Sequence, residues 1–272
     1  CIVALVSVSV EMSRFAGVGH ALLYSKYRPL PPKELISWVV DHIVNMGTKL
    51  NKAVDVGCGG GQSTGALSPY FKNVTGIDVS EAQLGEARKS NINSNVEYRI
   101  GNSSHMPFAS STVDLVTVSQ AVHWFDINQF YKEVDRVLVP NGALAIYGYT
   151  LPQVCGEEHK MSDALNDTYR KLRPFWDESR ELVDAGLSQL KPLYTDHKKN
   201  DFFHENTASI SDVLGYVRSW SGYQLCIQAN GESYGDQLIS DLECRLRKEF
   251  KKDCLRFLFQ FHLLVSMKAH QW

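Results

Sequence analysis

A chain of 272 residues can bury a full core, as one large domain or as one domain with a sizeable insertion. Hydrophobic residues make up 44% and charged residues 21%, which excludes extensive disorder. With 28 basic and 30 acidic residues the formal charge is −2, and the basic runs are short, so a nucleic-acid partner is excluded too.

Residues 1–11 are a short apolar run that opens with Cys1 and lacks a basic leader and a cleavage site. They read as an extension outside the fold, with Met12 beginning the domain. Met12 to Arg28 is amphipathic and aromatic and stops at Pro29, with Pro31 and Pro32 beyond it, which predicts a short helix and a stiff turn. Lys33 to Met46 repeats Leu35, Ile36, Val39, Val40, Ile43 and Val44 at helical spacing, and Gly47 closes it. Lys52 to Val56 is an apolar run stopped by glycines, the pattern of a buried parallel strand. Alternation follows. Helices are expected over Gln62–Phe71, Ser80–Ser90 and Ile127–Leu138, and strands over Asn73–Ile77, Val96–Ile100, Val113–Ser119 and Ala143–Tyr147. Ser80 and Gln83 are spaced as a capping box. Strand–helix alternation with short connections predicts an α/β fold, a doubly wound and mostly parallel sheet.

Beyond Tyr149 the rhythm changes. Residues 151–195 are charged and read as helical, Asp201–Glu205 reads as a strand, and Ser211–Ser219 and Tyr234–Phe250 read as helices. Leu255 to Met267 carries Phe257, Phe259, Phe261 and Leu263 at period two, which predicts a last strand returning to the sheet. Residues 151–250 are then a helical cap inserted before that strand. No stretch reaches membrane-spanning length. The six cysteines form no C-x-x-C pair and no cluster with histidine, so neither a metal site nor a disulfide framework is expected, and reduced thiols in the cytoplasm are.

The sharpest local signal is Ala53-Val54-Asp55-Val56-Gly57-Cys58-Gly59-Gly60-Gly61-Gln62-Ser63, a strand running into glycines with a helix behind them. Glycines let the backbone turn tightly and bring its N–H groups against a ligand. The dinucleotide fingerprint G-x-G-x-x-G/A fails here at Gln62, which disfavours a nicotinamide-dependent oxidoreductase. Gly57, Gly59 and Gly61 after Asp55 suit a nucleoside cofactor without a pyrophosphate. Asp78 lies 21 residues beyond Gly57 and closes the next strand, where a carboxylate can accept both hydroxyls of a ribose.

These residues, with Gly101-Asn102-Ser103-Ser104-His105-Met106-Pro107-Phe108, Asp114-Leu115-Val116 and Leu138-Val139-Pro140-Asn141-Gly142, resemble the class I S-adenosylmethionine-dependent methyltransferases. The resemblance covers about residues 20–150. Ala121-Val122-His123-Trp124-Phe125-Asp126 and Arg218-Ser219-Trp220-Ser221-Gly222-Tyr223 are further similar to a subgroup that includes trans-aconitate methyltransferase.

The resemblance implies a Rossmann-like fold and S-adenosylmethionine as cofactor, with S-adenosylhomocysteine as product. It implies a helical lid over 12–46, a cofactor-binding core over 47–150, a cap that meets substrate over 151–250 and a final strand over 251–272, all in one domain. Asp55, Gly57, Gly59 and Gly61 would line the methionine and ribose end, Asp78 would hold the ribose diol, and Asn102 and Ser103 would border the adenine. Ser119 and Gln120 would close the cofactor floor. Tyr24 and Arg28, in Tyr24-x-x-Tyr27-Arg28-Pro29, match a segment that folds over the active site in such enzymes. Two positions depart from the pattern. Asn102 stands where Asp is frequent, and Asn141 stands where a turn glycine is usual, although Asn tolerates a left-handed turn.

Methyl transfer from a sulfonium is an in-line displacement, and alignment alone can supply ~7–11 kcal/mol, so a dedicated base is optional for an anionic nucleophile. His123, just past the fourth strand, is either a base or substrate contact or a structural histidine beside Trp124. Trp124, Trp220 and Arg218 are candidate substrate contacts. Arg28 and Arg218 offer planar forks for a carboxylate, and Trp176 and Trp220 are either cavity walls or aromatic core. The expected partner is a small-molecule acceptor, in one reading a carboxylate; the alternative is a cofactor-binding module without catalysis.

Overall fold

The computed structural model describes residues 18–156 and 161–269. The extension expected over residues 1–11 lies outside them, as does the lid up to residue 17. The short apolar runs become parallel strands; those of the centre are buried on both faces, whereas the edge strand at Val96–Ile100 is exposed on one. These are β1 (Lys52–Val56), β2 (Asn73–Asp78), β3 (Val96–Ile100), β4 (Val113–Ser119) and β5 (Leu138–Tyr149). Two compact units emerge. One comprises Leu30–Tyr149, Leu182–Phe202 and the chain from Phe261; the other comprises the chain to Pro29, Thr150–Glu181 and Phe203–Gln260.

In the first unit the strand order is β3-β2-β1-β4-β5-β9, where β9 is Leu255–Met267. β1 to β5 pair in parallel, and β9 runs antiparallel to β5 with Ala143 opposite Met267 and Tyr149 opposite Phe261. This is the mostly parallel Rossmann-like sheet that the alternation predicts, with the last strand returning to it; that this strand runs antiparallel is a finding of the structure. The order reverses between β1 and β4, and ligands of open α/β sheets bind at the carboxyl ends flanking such a point.

Helices fill the crossovers. α2 (Lys33–Asn45), after α1 (Val18–Tyr27) of the other unit, packs on α3 (Gln62–Leu67) and β5; α4 (Glu81–Ser90) packs on β2 and β3; α5 (Ile127–Val137) packs on β5. Val54, Val56, Val116, Val118 and Ile146 meet Phe130, Val134 and Val137 of α5 in the core. The fourth strand–helix step ends one residue early, because Leu138 turns extended and starts a β5 longer than Ala143–Tyr147. Asn141 takes φ 62°, so the left-handed turn survives without glycine.

The second unit holds α1, α6 (Ala164–Lys171), α7 (Ile210–Arg218), α8 (Ser221–Asn230) and α9 (Glu232–Glu249), with β6 (Gln153–Cys155), β7 (Met161–Ser162) and the first half of β9. β6 pairs antiparallel with β9 and with β7. The helical reading of 151–195 holds only in part. β6 and β7 take its start, Pro174 stands in the 3-10 turn that follows the two-turn α6, and only further short helical turns, the last at Glu181–Asp184, lie beyond. The strand read over Asp201–Glu205 is longer, β8 (His197–Ala208), and pairs with β9. Among the described residues no helix is long and apolar enough to cross a membrane.

Candidate active site

The turn after β1 is forced by its glycines. Gly57, Gly59 and Gly61 have φ of 69°, 52° and 83°, a region costly to any residue with a Cβ. A Cβ on Gly57 would stand 2.6 Å from the Ala121 Cβ. The turn closes on β2: Gly57 and Cys58 N–H donate to the Ile77 carbonyl at 2.8 and 3.1 Å, and Gly59 N–H donates to Asp78 Oδ2 at 2.9 Å. The other Asp78 oxygen accepts from Ser80 N–H at 2.8 Å. One carboxylate thus ties the glycine turn to the first turn of α4. Burial pushes the Asp78 pKa up, opposed by these N–H donors.

Asp55 lies beneath this turn. It is fully buried, with Oδ2 accepting from Thr64 Oγ1 at 2.7 Å and Oδ1 from Thr117 Oγ1 at 2.9 Å. Burial pushes its pKa up to about 6 against the pull of the two hydroxyls. Its oxygens therefore brace α3 and β4 from below. Ser63 bonds the Tyr147 hydroxyl in the same layer.

Asn102 and Ser103 follow β3. Asn102 Oδ1 accepts from Ser104 N–H at 3.1 Å and His105 N–H at 2.7 Å, a side-chain turn that shapes the loop. The loop is anchored from behind by two residues that sequence reasoning passed over. Glu133 Oε1 accepts from Met106 N–H at 2.6 Å, and Arg136 donates to the carbonyls of Met106 and Phe108 while pairing with Glu133. Their i,i+3 spacing on an amphipathic helix reads as a surface pair. Only the loop's path makes it an anchor.

Ser119 is half-buried at the end of β4, and Gln120 takes a left-handed φ of 56°. Gln120 N–H donates to the Tyr147 carbonyl at 3.0 Å and Nε2 to the Tyr149 carbonyl at 2.9 Å, while Oε1 is buried with no partner among the described residues. His123 and Trp124 lie in the 3-10 turn Val122–Trp124; His123 is buried, and the two rings tilt at 43° with centroids 4.6 Å apart. Asp55, Gly57, Gly59, Gly61, Asp78, Asn102, Ser103, Ser119, Gln120, His123 and Trp124 thus belong to one unit, at or just beyond the carboxyl ends of β1, β2, β3 and β4.

Tyr24, Arg28, Arg218 and Trp220 belong to the other unit. The Arg28 guanidinium lies 4.8 Å over the Tyr24 ring and 5.3 Å over Tyr216, and donates to the Ser219 carbonyl at 3.0 Å. Trp220 is buried in an aromatic cluster with Tyr169, Trp176 and Tyr216. Arg218 is half-buried, and its charge and hydrogen-bonding capacity act on the Tyr223 phenol against the upward push of burial.

A nucleoside-type cofactor fits the first unit on two counts. The glycine turn lies at the carboxyl end of β1 with its Gly59 N–H tied to the strand-end carboxylate Asp78, and Gln120 offers a buried acceptor with no donor among the described residues. Comparison with known proteins agrees. A family profile described as a methyltransferase domain matches residues 54–146. A Dictyostelium discoideum protein bearing a methyltransferase name is 33% identical over 236 residues, covering 84% of this chain and 83% of that one. The Saccharomyces cerevisiae protein CRG1, named as an S-adenosylmethionine-dependent methyltransferase, is 30% identical over 239 residues, covering 74% and 78%. A solved structure from Anaeromyxobacter dehalogenans, named as a type II methyltransferase, superposes with TM-score 0.75 at 23% identity, over 90% of this chain and 100% of that one, a likeness of fold. With glycine turn, strand-end carboxylate, sheet order and relatives in agreement, the chain belongs to the class I S-adenosylmethionine-dependent methyltransferases.

Proposed function

We propose that this enzyme methylates a small molecule, with a carboxylate oxygen as the favoured nucleophile. The observation that carries the reading is the Asp78 bridge, which locks the glycine turn and the start of α4 together at the strand ends. The mild net charge and the short basic runs favour a small acceptor over a polyanion. The likeness of the His123-Trp124 and Arg218-to-Tyr223 segments to trans-aconitate methyltransferase favours a carboxylate.

When bound, S-adenosylmethionine supplies a methyl carbon on a sulfonium whose positive charge vanishes during transfer, so a water-poor site helps. In this reading the backbone of Gly57, Gly59 and Gly61 meets the methionine and ribose end. Asp78 accepts from the ribose hydroxyls, Ser119 and Gln120 close the floor, and Asn102 and Ser103 border the adenine. Asp55 works through Thr64 and Thr117, holding the turn in place.

His123 positions the acceptor or takes its proton; a carboxylate acceptor needs only the first. Arg218 and Trp220 are the candidate acceptor contacts of their own unit, where Arg28 donates to the Ser219 carbonyl and stacks on Tyr24; Trp124 is the candidate acceptor contact of the core.

Incubation with isotopically labelled S-adenosylmethionine and a metabolite extract, followed by mass spectrometry, tests the reading. A labelled methyl ester is the expected product; label found only in protein or nucleic acid would refute it. His123→Ala is expected to lower kcat at least about tenfold with S-adenosylhomocysteine affinity unchanged. If neither kcat nor KM moves, His123 is structural.

A further inference from the structure

Adenine carries a 6-amino group, a hydrogen-bond donor that needs an acceptor once it leaves water. In the reading above Asn102 borders that ring. Its Oδ1 already takes two N–H groups, from Ser104 and His105. A carbonyl oxygen has two lone pairs, so this acceptor is filled, and the remaining arm of the carboxamide, Nδ2, can only donate. An aspartate would keep a second oxygen there. Asparagine does not.

Another side chain has the complementary problem. Gln83, in the first turn of α4, is 3% exposed, and its Oε1 is buried with no hydrogen-bond partner among the described residues. Helix capping does not account for it. The forward arm of the expected capping box is present, since Gln83 N–H donates to Ser80 Oγ at 3.4 Å. The return arm would bring the carboxamide oxygen to Ser80 N–H, which instead donates to Asp78. A buried acceptor left in this condition calls for a partner that the described residues do not supply.

Its position suits a cofactor role. Two hydrogen bonds, Gln83 to Ser80 and Ser80 to Asp78, connect it to the carboxylate assigned to the ribose. α4 packs on β2 and β3, and Asp78 pairs with Ile100, two residues before Asn102. Gln83 therefore stands by the same two strand ends as the residues assigned to ribose and adenine.

We propose that Gln83 Oε1 accepts the hydrogen bond of the cofactor's 6-amino group, so that polar recognition of adenine sits on the first turn of α4 instead of the Asn102 loop. The proposal rests on the reading that Asp78 and Asn102 flank the adenosyl half. Calorimetric titration of the full chain tests it, using S-adenosylhomocysteine and its 6-deamino counterpart, in which purine replaces adenine. The wild type is expected to bind the amino compound about tenfold more tightly. Gln83→Met keeps the side-chain length without an acceptor and should bring the two affinities within about twofold. Asn102→Ala should weaken both ligands together and keep their ratio.

A ratio near one in the wild type, an undiminished ratio in Gln83→Met, or a ratio lost in Asn102→Ala would overturn the proposal. The first and third of these leave Gln83 untouched, so the test survives a Gln83→Met protein that does not fold. Asp78→Ala separates the two levels of the argument. If S-adenosylhomocysteine binding is indifferent to Asp78→Ala, the placement of the adenosyl half is itself wrong; the other failures leave that placement standing.

Discussion

The turns at the ends of β1 and β2 and the aromatic cluster of the other unit are built on opposite terms. The turns are held by directional contacts: left-handed glycines, N–H groups aimed at Asp78, and a buried Asp55 held by two threonines. The cluster of Tyr169, Trp176, Tyr216 and Trp220 is held by area, its rings tilted or edge-on at centroid separations of 5.0 to 5.8 Å. A directional site is spoiled by one extra carbon, whereas a packed one accepts substitutes of similar volume. Recognition of an invariant cofactor suits the first kind of construction, and adaptation to a particular acceptor suits the second.

The contrast can be broken most forcefully at Gly57. Gly57→Ala places a Cβ against Ala121 at positive φ and should cost about 3–4 kcal/mol of stability, read by denaturant unfolding. A loss below about 1 kcal/mol would mean the turn is more pliable than its geometry indicates.

Next in size is a pH effect at Asp55. Its folded pKa lies above the unfolded value, so the native state holds the proton more tightly and stability falls as pH rises from about 4 to about 6. The decline should be on the order of 2–3 kcal/mol, and Asp55→Asn should flatten it. Thermal melts across that window decide the matter; matching profiles for the two proteins would remove Asp55 from the account.

Asp78→Ala should weaken S-adenosylhomocysteine binding about 30- to 100-fold by calorimetry, since it removes a charged acceptor and releases the Gly59 and Ser80 N–H groups. The smallest effect belongs to the packed region. Trp220→Phe should cost about 1–2 kcal/mol of stability and leave S-adenosylhomocysteine affinity unaltered, and a change in that affinity would blur the distinction between the regions.

Much of the cofactor side was legible because it is local. The glycine run, Asp78 at the close of β2 and the Asn141 turn each follow from a few adjacent residues whose backbone preferences agree. Long-range partners were not legible. Glu133 and Arg136 form an ordinary helical pair in sequence, and only the folded chain brings Met106 and Phe108 to them. Asp55 illustrates the same limit: its position in the motif is evident, but its capture by Thr64 and by Thr117, a neighbour from β4, is a product of strand pairing. The region 151–195 misled for a different reason, because charge density resembles an exposed helix whether or not short strands and Pro174 limit it.

By itself, then, the sequence determined the alternation of strands and helices and the place of the ligand turn, because short-range backbone preference and apolar periodicity encode both, while the kind of cofactor followed from the resemblance of its motifs to a known family. Only the tertiary structure decided which oxygen of which carboxamide or carboxylate remains able to accept a hydrogen bond. That depends on how the folded backbone presents its N–H groups: Asn102 Oδ1 is filled by its own loop, and Gln83 Oε1 is buried with no donor among the described residues.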